Sequence, residues 1–315
     1  MQGGRIVFMG SGEIAIPSFR WLLDEGHVPV ALVTQPDRVA GRRRELTPPP
    51  IKRVALEAGV PVVQPEKVRQ PEALDEFEAL RPELIVVMAY GQILPRRLID
   101  MAPLGCVNLH ASLLPKYRGA ACIQAAIDAG DATTGVTLMH VVRELDAGDV
   151  ILSRTTPILP EDTGGSLHDR LAGVAVEALA AGLPLLLQGR APRVPQAELG
   201  ESSHVSKLGR EDGRIDWSWP ARRLELRLRA YDPWPGCWTC HEEGGQPRRL
   251  KVFPAEPGEE VPGEPGTARL EDGRVRVACG RGSLWLGEVQ PEGKRRMAAE
   301  EWWRGRQGDE RLVFR

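Results

Sequence analysis

Cysteine is scarce, with 5 residues in a chain of 315. That is too few for a disulfide scaffold and points to a reducing, cytoplasmic setting. Long apolar runs are also lacking in the sequence. None reaches the ~18 residues of a membrane span, so no membrane is expected as a partner. The N-terminus, Met-Gln-Gly-Gly-Arg-Ile-Val-Phe, runs straight into a strand-like segment and lacks the serial regions of a secretory leader. There is no excess of one charge, since 41 Lys and Arg face 43 Asp and Glu. Bulk electrostatics therefore argue neither for nor against nucleic acid, and any such binding must rest on local patches.

What is present is an ordinary globular composition, 42 % hydrophobic and 27 % charged, at a length that suits about two domains. The first half alternates strand-like and helix-like segments. Arg5–Gly10, Val28–Gln35, Leu84–Tyr90, Cys106–Leu114 and Gly135–Val142 read as strands. Ile14–Glu25, the stretch near Ala120–Ala129 and Leu167–Leu187 read as helices. Continuously apolar strands separated by helices predict an α/β domain with a doubly wound, mostly parallel sheet over residues 1–188. Residues 189–206 have no hydrophobic period and contain Pro192 and Pro195, which predicts a linker. From Lys207 to Arg315, short β-like pieces separated by Gly and Pro clusters predict a small OB-like β-barrel.

Three motifs invite chemistry. Gly10-Ser11-Gly12-Glu13-Ile14-Ala15 fits the dinucleotide fingerprint G-x-G-x-x-G/A, with Asp37 near where a ribose-binding acid would sit; the motif is weak, and a tight strand-to-helix turn is the expected reading. Cys237-Trp238-Thr239-Cys240-His241 fits the haem-attachment spacing, but nothing around it suggests export, and a zinc site would need further ligands. The third is Asn108-Leu109-His110, where residues two apart on a strand share one face near its carboxyl end. Leu145-Asp146-Ala147-Gly148-Asp149 adds a carboxylate in a glycine-containing loop. An amide that binds an oxyanion, an imidazole and an orienting carboxylate make a site without metal or covalent nucleophile.

These segments carry a family resemblance. Asn108-Leu109-His110, Ser112-Leu113-Leu114-Pro115, Arg118-Gly119-Ala120 and Leu145–Asp149 resemble the group that transfers formyl from 10-formyltetrahydrofolate. The whole chain resembles the methionyl-tRNA formyltransferases. Thr34-Gln35-Pro36-Asp37-Arg38 with Gly41-Arg42, Ala89-Tyr90-Gly91-Gln92-Ile93-Leu94-Pro95, Gly213–Trp217 and Asp232-Pro233-Trp234-Pro235-Gly236 extend the match into both halves. The chain departs from the family pattern at Ser11-Gly12, at Lys116-Tyr117 and at Cys122, where proline is usual.

The resemblance implies a monomeric enzyme that uses 10-formyltetrahydrofolate and methionyl-tRNA, with no metal. It implies catalytic roles for Asn108, His110 and Asp146. It implies folate contacts at Tyr90, Gly91, Gln92 and Ile93, at Ser112, Leu113, Leu114 and Pro115, and at Val141, Val142, Arg143 and Glu144. Arg38, Arg42, Arg43 and Arg44 form a basic loop suited to tRNA phosphates. Arg222, Arg223, Arg227 and Arg229 are further candidates for tracking the tRNA backbone.

Overall fold

The computed structural model describes residues 4–40, 45–306 and 311–315, so Arg42, Arg43 and Arg44 lie outside the described residues and Arg38 within them. Two compact units are present, each assembled from separated stretches of chain. One comprises Met1–Cys122, Thr133–Pro157 and His168–Val205, and the other Ile123–Ala132, Ile158–Leu167 and Ser206–Arg315. The stretch expected as one domain, 1–188, is therefore interrupted by two segments that pack with the C-terminal unit.

The first unit is built on a sheet of order β10-β9-β7-β6-β1-β2-β5. Its strands are β1 (Ile6–Gly10), β2 (Ala31–Val33), β5 (Val62–Val63), β6 (Leu84–Met88), β7 (Cys106–His110), β9 (Thr133–His140) and β10 (Val150–Pro157). A hairpin of β3 (Arg38–Ala40) and β4 (Glu45–Thr47) follows β2, and β8 (Arg118–Gly119) pairs with β11 (His204–Val205). Strands β7, β6, β1, β2 and β5 are parallel, and β9 runs antiparallel between β7 and β10. Every residue of β1 and β6 is buried, as strands covered on both faces require.

Alternation along these strands feeds two cores. Val7, Met9, Ile85 and Val87 face Leu74 and Phe77 of α3 (Pro71–Ala79) and Leu98 of α4 (Arg96–Ile99). Phe8 points the other way and meets Phe19 of α1 (Ile16–Asp24) edge-on, with ring centroids 5.3 Å apart. α2 (Pro50–Glu57) and α3 open with proline in the first turn, where its missing N–H costs nothing. Helix α5 (Cys122–Asp128) starts in this unit and continues in the other.

Helix α6 (Gly164–Leu187) corrects the reading that no stretch suits a membrane. Its 24 residues, at mean hydropathy 1.7, are long and apolar enough to span one by length and composition. Leu171, Ala175, Leu179, Leu183 and Leu186 are buried at helical spacing, which is how a core helix passes the same test.

The second unit contains α7 (Ala221–Ala230), α8 (Ala299–Gly305) and two antiparallel sheets. One comprises β12 (Cys237–Glu243), β13 (Gln246–Val252), β18 (Glu288–Pro291) and β19 (Met297–Ala298). The other comprises β14 (Ala255–Gly258), β17 (Ser283–Leu286), β16 (Arg274–Ala278), β15 (Thr267–Glu271) and β20 (Arg311–Val313). Paired main-chain hydrogen bonds between Cys240 and Arg315 join β12 to the segment after β20, which curls the two sheets toward a barrel.

Asp128 and Asp162 explain why early segments belong to this unit. The Asp128 carboxylate accepts from Arg223 Nη2 at 2.8 Å and Arg227 Nη2 at 2.9 Å, and the Asp162 carbonyl accepts from Arg229 Nη1 at 2.8 Å. Arg229 and Arg222 also pair with Glu225. The α7 arginines are thus occupied by ion pairs within the fold rather than presented as a row of free cations. The C-x-x-C-H match lies on β12, where positions three apart fall on opposite faces, and the Cys237 thiol donates to the Arg227 carbonyl at 3.7 Å.

Candidate active site

Asn108 and His110 lie on β7, and the loop between β9 and β10 folds back to bring Asp146 over them. His110 Nδ1 is 3.6 Å from Asp146 Oδ2, and Asn108 Nδ2 donates to Asp146 Oδ1 at 3.5 Å. The side chains of His110 and Asp146 are 7 % and 11 % exposed. The other ring nitrogen, His110 Nε2, lies 2.9 Å from the Tyr117 carbonyl oxygen. Both ring nitrogens therefore face oxygen acceptors, and either neutral tautomer would aim a lone pair at one of them. Burial opposes charging of the ring, but the Cys122 sulfur, the Asp146 carboxylate and the Tyr117 carbonyl favour it. The net effect lifts the pKa up to about 9. Cys122, the departure noted in the sequence, thus adds to the polar surroundings of His110.

The loops owe their path to backbone that few residues tolerate. Asp146 has φ 50°, in the left-handed region where Asp is among the better-tolerated residues. Its Oδ2 accepts from the Gly119 N–H at 2.9 Å. Gly119 has φ 103°, and a Cβ there would lie 2.2 Å from the Val205 carbonyl oxygen. Only glycine permits this approach, which places the N–H on the carboxylate. Ser112 and Thr137 fix the intervening turn. Thr137 Oγ1 donates to the Ser112 carbonyl at 2.7 Å and accepts from the Leu114 N–H at 3.1 Å.

The residues implied as folate contacts divide by environment. Tyr90 is 2 % exposed, and its ring belongs to the apolar core beside Val68, Leu98 and Cys106. Its carbonyl accepts from Gln35 Nε2 at 2.9 Å. Gln92 is tied into the neighbouring loop, its Oε1 accepting from the Val68 N–H at 2.8 Å. Ser112 is buried and donates to the Lys116 carbonyl at 2.7 Å. The N–H groups of Leu114 and Val141 are committed internally, to Thr137 Oγ1 and the Cys106 carbonyl. Ile93 is 80 % exposed and Val142 41 %, while Arg143 and Glu144 are exposed polar neighbours of Val142. Leu113 is half-buried and Pro115 buried, and Gly91 turns the loop after β6.

The dinucleotide fingerprint is occupied by the fold itself. The N–H groups of Ser11 and Gly12 both donate to the Ala89 carbonyl, at 3.2 and 3.4 Å. Asp37 is bound by Lys52 Nζ at 2.8 Å and Gln64 Nε2 at 2.7 Å, and these hydrogen bonds hold its pKa below the ordinary carboxylate range. Arg38 is exposed at the start of the β3–β4 hairpin.

Sequence reasoning missed Gln196 and Ser203, both within the stretch read as linker. Gln196 is 3 % exposed. It donates from Nε2 to the carbonyls of Asp146 and Gly148, each at 2.8 Å, and accepts from Arg118 Nε at 3.0 Å. Ser203 Oγ accepts from the Tyr117 N–H at 2.8 Å. A polar residue among prolines carries no periodic signal, so only the fold reveals these contacts.

The formyl transferase family pattern matches residues 4–183, and the pattern of the formyl transferase C-terminal domain matches 207–307. The chain belongs to the formyl transferase family. Among its curated formyl transferase relatives, a methionyl-tRNA formyltransferase of Akkermansia muciniphila is 50 % identical over 297 residues, covering 93 % of this chain and 94 % of that protein. One from Geobacillus thermodenitrificans is 44 % identical over 306 residues, covering 95 % and 93 %. Among solved structures, HypX from Aquifex aeolicus in complex with tetrahydrofolic acid superposes with a TM-score of 0.64 at 21 % identity. It covers 100 % of this chain and 51 % of that one, a likeness of fold.

Proposed function

We propose that the chain transfers the formyl group of 10-formyltetrahydrofolate to the α-amine of initiator methionyl-tRNA, with Asn108, His110 and Asp146 as the catalytic residues. The observation that carries this reading is the meeting of an amide, an imidazole and a carboxylate around β7, in a chain 50 % identical to a methionyl-tRNA formyltransferase.

The chemistry follows from ordinary reactivity. An α-amine has a pKa of about 8, so a useful fraction is neutral near pH 7 and needs positioning more than activation. The amine attacks the formyl carbon, a C–N bond forms, and negative charge develops on the formyl oxygen. The Asn108 amide offers an N–H to that oxygen, and a charged His110 adds a positive field. Asp146 holds the imidazole in its protonated state and receives the proton that the amine gives up. The C–N bond to the folate then breaks, and the departing folate nitrogen recovers a proton. The exposed apolar side chains of Ile93 and Val142, with main chain at Tyr90–Ile93, Ser112–Pro115 and Val141–Glu144, would hold the folate.

All three catalytic groups come from one chain, so the reaction requires only a monomer. Arg38 and the sequence Arg42-Arg43-Arg44 supply guanidinium groups for tRNA phosphates. Charged tRNA places the reaction in the cytoplasm. The test is formyl transfer from 10-formyltetrahydrofolate to charged initiator tRNA by the purified chain. Formylmethionyl-tRNA supports the reading, and no transfer under conditions where a relative is active contradicts it.

A further inference from the structure

The segment joining the two matched family regions contacts the site at both ends. Val194 bridges to Val150 through reciprocal main-chain bonds of 2.8 and 3.0 Å. Further along the chain, the Ser203 carbonyl accepts from the Arg118 N–H at 2.8 Å, and the Val205 carbonyl accepts from the Ala120 N–H at 3.2 Å. Between these anchors lies Gln196, buried, with both amide hydrogens committed to the carbonyls of Asp146 and Gly148 and its oxygen to Arg118. Only one orientation of the amide satisfies two acceptors and one guanidinium donor.

We propose that Gln196 is the positioning residue for Asp146 and that the main chain of Ser203–Val205 positions Gly119. This rests on the catalytic reading of Asp146 above. The Asp146 carboxylate is useful only where Gly119, His110 and Asn108 meet it, and its backbone sits in a left-handed conformation that Asp adopts more readily than most residues but still at a cost. Gln196 ties down the carbonyls on either side of Ala147, which fixes the strained turn. The Ser203–Val205 strand grips Tyr117–Ala120, which fixes the Gly119 N–H. One segment thus holds both partners of the Gly119–Asp146 hydrogen bond. At Gly148 itself a Cβ would lie 1.8 Å from the His140 carbonyl oxygen, so glycine is required where Gln196 binds this turn.

The test compares Gln196→Glu, Gln196→Leu and Asp146→Asn in the full chain, with Glu198→Gln, exposed in the same turn, as control. Gln196→Glu keeps the shape and the acceptor for Arg118 but loses both donors. Gln196→Leu removes all three bonds without burying a charge and serves if the Glu variant fails to fold. A misplacement on the order of 1 Å costs about 10²-fold in rate. The proposal predicts a kcat ~10–100-fold below the parent, with KM for methionyl-tRNA within about twofold. It also predicts faster amide exchange in the peptide carrying Gly119, while peptides of β1 and β6 stay protected. Glu198→Gln should match the parent. If Asp146→Asn abolishes turnover while both Gln196 variants keep the parent kcat and Gly119 protection, the positioning role is overturned. Exchange that rises throughout the unit, with kcat lost in proportion to folded protein, also overturns it. If Asp146→Asn itself retains the parent kcat, the catalytic reading fails, and that outcome is distinct from the other two.

Discussion

The two units of this chain differ in which partners hold their most buried polar side chains. In the first, the site's groups are held by main chain: His110 by the Tyr117 carbonyl and Asp146 by the Gly119 N–H. In the second, guanidinium groups are held by carboxylates and aromatic faces. Arg227 lies 4.6 Å from the Trp219 ring centre and 5.0 Å from that of Tyr231 while bonding Asp128. Arg249 covers Trp238 and Arg296 covers Phe253, each at 3.7 Å. Main-chain partners aim a catalytic group without adding a competing charge, whereas stacked and paired arginines are spent on packing.

The largest test of that contrast is Asp146→Asn. It keeps the shape but removes the charge facing His110, so kcat per folded protein should fall by about 10²–10³, and the melting temperature should fall as well because His110 loses its buried partner. Parent-like turnover would place Asp146 among the structural charges. Arg229→Met probes the other side. Arg229 and Glu225 are 9 % and 7 % exposed, and removing one partner leaves the other charge buried. Breaking such a pair costs about 3–5 kcal/mol where the other charge is left alone; Arg222 still faces Glu225, so the loss should fall below that range, read as a lower urea midpoint with kcat of the folded fraction unchanged.

A smaller effect follows from His110. Its folded pKa of about 9 lies above the ordinary value of 6.5. The stability it contributes is fully present below pH 6.5 and is lost as pH rises through 9. The parent's melting temperature should therefore fall more steeply across that window than that of His110→Gln, and equal slopes would deny the charged state. The smallest effect is expected for Arg248→Ala, an exposed strand residue of the second unit, at within about 0.5 kcal/mol in the same urea titration. A larger loss would give Arg248 a packing role like that of Arg249.

How much of this was legible in the sequence depends on the range of the interactions. The all-apolar runs of β1 and β6 announce a sheet buried on both faces, and Asn108 and His110 announce a shared strand face. Helices α2 and α3 escaped notice although Ile51, Val54 and Ala55, and Ala73, Leu74 and Phe77, fall at helical spacing, because eight or nine residues show that period for only about two turns. The second strand is shorter than its apolar run, Ala31–Val33 against Val28–Gln35. Two features gain neighbours that a motif does not show. Ala89 takes the N–H groups of Ser11 and Gly12 in the Gly10–Ala15 turn. On α7, Asp128, 95 residues from Arg223, holds Arg223 and Arg227, while Arg222 and Arg229 pair with Glu225. Gln196 is the converse, since its partner Asp146 lies 50 residues away and nothing local marks it.

The central claim is that the Asn108–His110–Asp146 cluster stabilises the transition state of formyl transfer, beyond what it contributes to the fold. Single-turnover transfer by saturating His110→Ala and Asn108→Ala proteins, with 10-formyltetrahydrofolate binding measured on the same samples, tests it most directly. The account predicts a chemical step slowed about 10²–10³-fold in each variant, with folate affinity close to the parent's. A single-turnover rate equal to the parent's in either variant would contradict it.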